Sequence, residues 1–219
     1  MKRIAFYGGS FDPPHRGHLA IADALVEQFG LDSFVFIPAF HAPHKARLKP
    51  TSAYDRYAML CLATQNPANV MVSRMEIEVP ERPYSVETLS RIIKQMPDHE
   101  IYFVIGADSW RDILTWREWK KVLTMVNIIV VTRPGVEIGV DHVTEEIRDR
   151  IVDLRNGSEP GAVATGFRSE TTAIFISDAV NMDISATEIR RKIRESDPTW
   201  HQDATAEVAN YVEKYQIYS

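Results

Sequence analysis

The sequence predicts an α/β fold, a Rossmann-like doubly wound parallel sheet with helices on both faces. Three observations predict it. Short apolar runs, of which Ile101-Tyr102-Phe103-Val104-Ile105 is the strongest, have the composition of strands buried on both faces. These runs alternate with stretches whose apolar residues recur at helical spacing. The first run ends in Gly8-Gly9 and leads through Pro13-Pro14 into such a helix. A strand that turns through glycines into a helix N-terminus lets the backbone approach an anion and offers it unpaired N–H groups.

The elements follow in order. Ile4-Ala5-Phe6-Tyr7 is the opening strand, and Leu19, Ala22, Leu25, Val26 and Phe29 mark the helix after it. Gly30 ends that helix as a C′ glycine. Phe34-Val35-Phe36-Ile37 is the second strand, stopped by Pro38, and residues 39 to 51 read as a loop carrying His41, His44 and Lys45. Pro43 keeps the two loop histidines off a regular helix, which argues against a zinc site there. Ser52, with Asp55 three residues on, opens a helix that runs to Leu62. Val70-Met71-Val72 is a short third strand, and residues 77 to 84 read as an irregular arm. Ser85 is placed to cap a helix with Val86, Leu89, Ile92, Ile93 and Met96 on its apolar face.

Gly106-Ala107-Asp108 follows the strongest strand, and a short helical region with Trp110, Trp116 and Trp119 comes next. Trp110 and Trp119 are expected in the core. Ile128-Ile129-Val130-Val131 is another buried strand, ended by Arg133-Pro134-Gly135. Val143, Ile147, Ile151 and Leu154 predict a further amphipathic helix. Residues 156 to 172 read as a loop rich in Gly, Ser and Thr, before a last strand at Ala173-Ile174-Phe175-Ile176. Ser185-Ala186-Thr187-Glu188 has the form of a capping box opening a helix to Arg194, and a final helix spans about 204 to 215. The 219 residues read as a single domain with a C-terminal helical segment at about 185–219.

The formal net charge of −5 argues against general nucleic-acid binding. The lone Cys61 sits in an apolar pattern, which excludes a disulfide framework and a cysteine zinc site. The start of the chain enters a strand with no apolar leader, and no apolar run approaches a membrane span. A cytoplasmic protein with small-molecule partners is expected, with no membrane partner; monomer and homo-oligomer are both left open.

In an open parallel sheet, ligands bind beyond the carboxyl ends of the strands. Gly8-Gly9, the loop after Pro38, Gly106-Ala107-Asp108 and Arg133-Pro134-Gly135 should therefore share one edge. Neither GxxxxGK[ST] nor GxGxxG occurs, which excludes a Walker-type ATPase and a dinucleotide fingerprint. Phosphoryl or nucleotidyl transfer needs no protein nucleophile. It needs donors that hold two anions together and neutralise charge on the transferring phosphorus. The Gly9 and Ser10 N–H groups, His15, His18, Lys45, Arg190 and the helix start at Ser185 are such donors.

Gly8-Gly9-Ser10-Phe11-Asp12-Pro13-Pro14-His15-Arg16-Gly17-His18 resembles the GGSFDPxHxGH signature of HxGH-motif nucleotidyltransferases. Ile184-Ser185-Ala186-Thr187-Glu188-Ile189-Arg190 resembles their second signature, ISxTxxR. Pro43-His44-Lys45, Tyr84 to Leu89, Gly106-Ala107-Asp108, Thr115-Trp116 through Trp119, and the ending around Val208 to Val212 narrow the resemblance to the bacterial nicotinate mononucleotide adenylyltransferases. That resemblance covers nearly the whole chain.

It implies transfer of AMP from ATP to nicotinate mononucleotide, giving nicotinate adenine dinucleotide and pyrophosphate, with Mg2+ accompanying the ATP. Carried over residue by residue, His15, His18, Lys45 and Arg190 would act in catalysis. Gly8, Gly9, Ser10, Phe11, His15, His18, Asp108, Ile184, Ser185, Thr187 and Arg190 would bind ATP. Lys45, Tyr84, Ser85, Thr88, Trp116 and Arg117 would bind the acceptor, with the nicotinate ring stacked on Trp116. Position 117 carries Arg where several members of the family have an aromatic residue. Arg133 is expected either to serve its turn or to contact nucleotide. The rival readings are an enzyme using nicotinamide mononucleotide and a non-catalytic nucleotide-binding protein of the same fold.

Overall fold

The computed structural model describes residues 1–40, 51–79, 83–155 and 171–218. Seven strands form one sheet: β1 (Lys2–Gly9), β2 (Ser33–Pro38), β3 (Val70–Val72), β4 (His99–Gly106), β5 (Asn127–Val131), β6 (Ile151–Asp153) and β7 (Ile174–Ser177). Their order is β3-β2-β1-β4-β5-β7-β6, and every pairing is parallel. Strand side chains alternate between two cores, as a period of two requires. Ile4, Phe6, Phe103, Ile105, Ile128 and Val130 face one core with α3 (Ser85–Gln95) and α5 (Trp119–Met125). Ala5, Tyr7, Phe34, Phe36, Val104 and Phe175 face the other with α1 (Arg16–Phe29).

The remaining helices are α2 (Ala53–Ala63), α4 (Ala107–Arg111), α6 (Glu145–Arg148), α7 (Ala186–Arg194) and α8 (Ala206–Lys214). Gly30 ends α1 in the left-handed conformation, with φ 57°. A third apolar cluster joins Met59 of α2, Ile189 of α7, Trp200, and Val208, Ala209 and Val212 of α8. It docks the last helices beside the carboxyl edge of the sheet through α2. Among the described residues no helix is long and apolar enough to cross a membrane.

Three local expectations are corrected. The helix expected from Val143 to Leu154 is only the short α6, and Ile151 begins the edge strand β6. Four apolar residues at helical spacing also fit a turn followed by a strand. Here β7 supplies ladder partners: the Ile174 N–H donates to the Arg150 carbonyl at 2.9 Å, and the Leu154 N–H to that of Ile176 at 2.9 Å. Ser185 stands at the N-cap of α7, but among the described residues its side chain makes no capping hydrogen bond. Ser85 is the first residue of α3 rather than its cap. Tyr84 takes that place, and its N–H donates to Glu87 Oε2 at 3.0 Å.

Candidate active site

The strand order turns around between β1 and β4, so the connections after these two strands leave in opposite directions. A crevice must open there at the carboxyl ends. A cleft of about 550 Å³ occupies it. Of the residues expected at the site, it is lined by Gly8, Gly9, Ser10, Phe11, His15, His18, Tyr84, Ser85, Asp108, Trp116, Arg117, Ile184, Ser185, Thr187 and Arg190. Two expected residues are not among them. Lys45 lies outside the described residues. Thr88 is buried, and its hydroxyl donates to Glu76 Oε1 at 2.7 Å. Thr88 reaches the cleft only through Glu76, which lines it; one helical turn into α3, its side chain points down into the core rather than out to a ligand. Burial raises the Glu76 carboxyl above its ordinary range, and the Thr88 bond and Arg91 oppose the rise.

The turn after β1 is shaped by packing. Phe11 has φ 48° and folds back into the second core, edge-on to Tyr7 and Phe36 at 5.3 Å from each. A Cβ at Gly9 would stand 2.8 Å from the Phe11 ring, so only glycine permits this tuck. The tuck leaves the backbone from Gly9 to Asp12 along the cleft. His15 is the N-cap of α1, and the rings of His15 and His18 stack with centroids 3.6 Å apart. The His15 N–H donates to His18 Nδ1 at 3.2 Å, which puts the His18 ring hydrogen on Nε2. A Cβ at Gly17 would stand 3.1 Å from His15 Nδ1, so this glycine keeps room beside the imidazole.

His15 is buried, and burial is the main reason its pKa falls from 6.5 to about 4. Arg133 pushes it the same way and Asp203 opposes them. The imidazole is therefore neutral at neutral pH. Arg133 lines the cleft and also pairs with Asp183, with Nη2 to Oδ1 at 3.3 Å.

Arg190 joins the two ends of the sequence. Its Nη1 donates to the Asp12 carbonyl at 2.5 Å and its Nη2 to Thr187 Oγ1 at 3.3 Å. Further along the cleft, Asp108 stands two residues beyond the end of β4 and pairs with Arg111 at 3.3 Å. Trp116 packs partly on the first core, while Trp110 lies inside it and donates its Nε1–H to the Gly139 carbonyl at 2.8 Å. Arg117 Nη1 pairs with Glu87 at 3.4 Å, and its guanidinium lies 4.9 Å from the Tyr84 ring centroid.

Arg56 was not anticipated. It is 1% exposed and reaches the turn from beneath. Its Nη1 donates to the Ser10 carbonyl at 2.6 Å, Nη2 to that of Ala39 at 2.7 Å, and Nε to that of Thr51 at 3.0 Å. One guanidinium thus ties the turn after β1 to the chain after β2. A signal existed: Ala53, Arg56 and Leu60 share one helical stripe, so a charge falls among apolar positions.

These features define a class. Two stacked imidazoles at a glycine turn, an arginine brought in from 178 residues away, and a cleft at the switch point are the apparatus of a nucleotidyltransferase. The family model described as cytidylyltransferase-like matches residues 6–192. Among curated proteins, one named a probable nicotinate-nucleotide adenylyltransferase from Desulfitobacterium hafniense is 35% identical, covering 99% of this chain and 96% of that protein. One of the same name from Thermus thermophilus is 33% identical and covers 99% of each chain. A solved Plasmodium falciparum nicotinic acid mononucleotide adenylyltransferase, complexed with NaAD, matches with TM-score 0.71 at 18% identity. It covers 100% of this chain and 98% of its own, and shows the shared fold. The chain belongs to the nicotinate-nucleotide adenylyltransferases.

Proposed function

We propose that this chain transfers AMP from ATP to nicotinate mononucleotide, releasing pyrophosphate. One observation carries the reading. The Arg190–Asp12 bond brings the helix start at Ser185 to the glycine turn, so donors from both line one cleft of about 550 Å³. The phosphate of the acceptor is already an anionic nucleophile, so the chain must orient it and neutralise charge on the α-phosphorus. The N–H groups after Gly8 and the start of α7 receive phosphate oxygens. His18 presents Nε2–H, and Arg190 keeps N–H groups beyond the two it has committed. Phosphate beside His15 raises its pKa from about 4, so binding and proton uptake are linked.

In this reading Asp108 binds ribose hydroxyls and Trp116 stacks the nicotinate ring, supported by the presence of both in the lining of the cleft. Mg2+ would accompany the triphosphate and screen its charge, and no protein ligand to it is assigned. The reading is of a cytoplasmic enzyme acting on two small anionic substrates.

The test is pyrophosphate release from Mg-ATP with each acceptor in turn. Release with nicotinate mononucleotide well above that with nicotinamide mononucleotide supports the reading. Release mainly with the nicotinamide form would reassign the acceptor, and release with neither would leave a nucleotide-binding protein.

A further inference from the structure

The hydrogen bonds around Asp12 reach a residue that lies far from both signatures. Asp12 is 7% exposed and belongs to the turn that lines the cleft. Its Oδ1 accepts from the Tyr218 hydroxyl at 2.6 Å, across 206 positions of sequence. Its Oδ2 accepts from the Thr51 N–H at 3.4 Å, and its carbonyl accepts from Arg190. One residue is thus held at its side chain and at its backbone by partners from three distant segments.

The backbone around Tyr218 is in an uncommon conformation. Tyr218 has φ 75° and Gln216 has φ 52°, both in the left-handed region that side chains disfavour. Such conformations persist where the surroundings over-determine them, and they cluster at functional sites. Ile217 and Tyr218 pack against the cluster formed by α2, α7 and α8, which carries the hydroxyl back to the turn. Burial, the Asp12 charge and the Asp12 hydrogen bond hold the phenol well above its ordinary pKa, so it stays a donor throughout the working pH range.

We propose that Tyr218 is a positioning residue for the transfer, its hydroxyl holding Asp12 and, through Asp12, the phosphate turn and Arg190 at their working separation. The role rests on the adenylyl-transfer reading for its effect on turnover, but not for its effect on ATP binding. Removing the hydroxyl leaves a buried carboxylate oxygen without its donor. The turn and Arg190 then lose the reference that sets their spacing, and displacements well under an ångström matter to phosphate donors. The effect belongs to the ATP half of the cleft, because Asp12 holds the glycine turn and Arg190 together.

The test uses Tyr218→Phe, Asp12→Asn and the double variant. Affinity for α,β-methylene ATP is titrated without acceptor, and kcat and both KM values are measured with Mg-ATP and nicotinate mononucleotide. Tyr218→Phe is expected to weaken the analogue and to lower kcat/KM for ATP by about tenfold or more, leaving the acceptor KM within about twofold. In the Asp12→Asn background the same change is expected to do little more, because it acts through Asp12. Undiminished analogue affinity in Tyr218→Phe, equal losses toward both substrates, or fully multiplying effects of the two substitutions would each overturn the proposal. If the parent chain transfers nothing to nicotinate mononucleotide, the acceptor reading falls while analogue binding still decides the role of Tyr218.

Discussion

The two halves of the cleft are built in opposite ways. At the phosphate half, Asp12, His15 and Arg56 are 7%, 8% and 1% exposed, and partners far away in sequence hold the turn from below. At the half proposed for the acceptor, Tyr84 is 43% exposed, and Arg117 and Glu87 meet in a surface ion pair. A pair of that kind contributes little stability and leaves its side chains free to rearrange. The difference teaches where rigidity serves the chemistry. Charge on a transferring phosphorus is best stabilised by donors that need not move when it develops, so their supports are buried.

The comparison can be broken first at the phosphate half, where the largest effect is expected. His18→Ala should lower kcat by about two to three powers of ten, with acceptor affinity and thermal midpoint nearly unchanged. Steady-state kinetics beside a melting curve measure this, and an unaltered kcat would remove His18 from the rigid donor set.

Burial of His15 makes the next prediction, on stability rather than rate. Folded His15 titrates near 4, and in the unfolded chain its pKa returns to about 6.5. Between those values the unfolded chain binds more protons, so stability rises with pH across the window and is progressively lost as pH falls below about 6.5. By pH 4 the accumulated loss is about 3 kcal/mol. His15→Asn keeps an N-cap residue and should flatten this dependence in urea titrations between pH 4 and 7. An equally steep dependence in the variant would assign it to other groups.

The smallest effect is expected at the open half. Trp116→Ala should weaken nicotinate mononucleotide binding by about 1–3 kcal/mol, on the scale of base stacking on an aromatic ring. Binding of α,β-methylene ATP should stay as it was. Calorimetric titration of each ligand distinguishes the halves, and equal weakening of both would erase the boundary between them.

Much of the site was legible because its elements are local. A strand, two glycines, two prolines and a helix start are neighbours in sequence, so turn chemistry and periodicity suffice to place Gly8 to His18 at a strand end. The same holds for Ser185 to Arg190 at the start of α7. Legibility failed where two local readings compete for the same pattern. Ile151 fits a helix by spacing, and only the free ladder positions of β7 make it a strand. Ser85 is a good cap by type, yet Tyr84 takes the cap of α3, and Ser185 holds the cap position of α7 without making the side-chain capping bond. Thr88 lies in the segment whose resemblance implies acceptor contact, but one helical turn carries it into the core, where its hydroxyl donates to Glu76.

The amino-acid sequence by itself determined the alternation of strands and helices, the position of the phosphate turn and the family to which the signatures belong. Those depend on interactions within a few residues, which a linear pattern records. Tertiary structure alone decided what supports the turn. Arg56 finds its Ser10 partner 46 positions away, Arg190 finds Asp12 at 178, and Tyr218 finds Asp12 at 206. A buried polar group must find a hydrogen-bonding partner wherever the fold brings one. The partner's place follows from how β1, α2, α7 and α8 pack together, and no spacing within the chain encodes it.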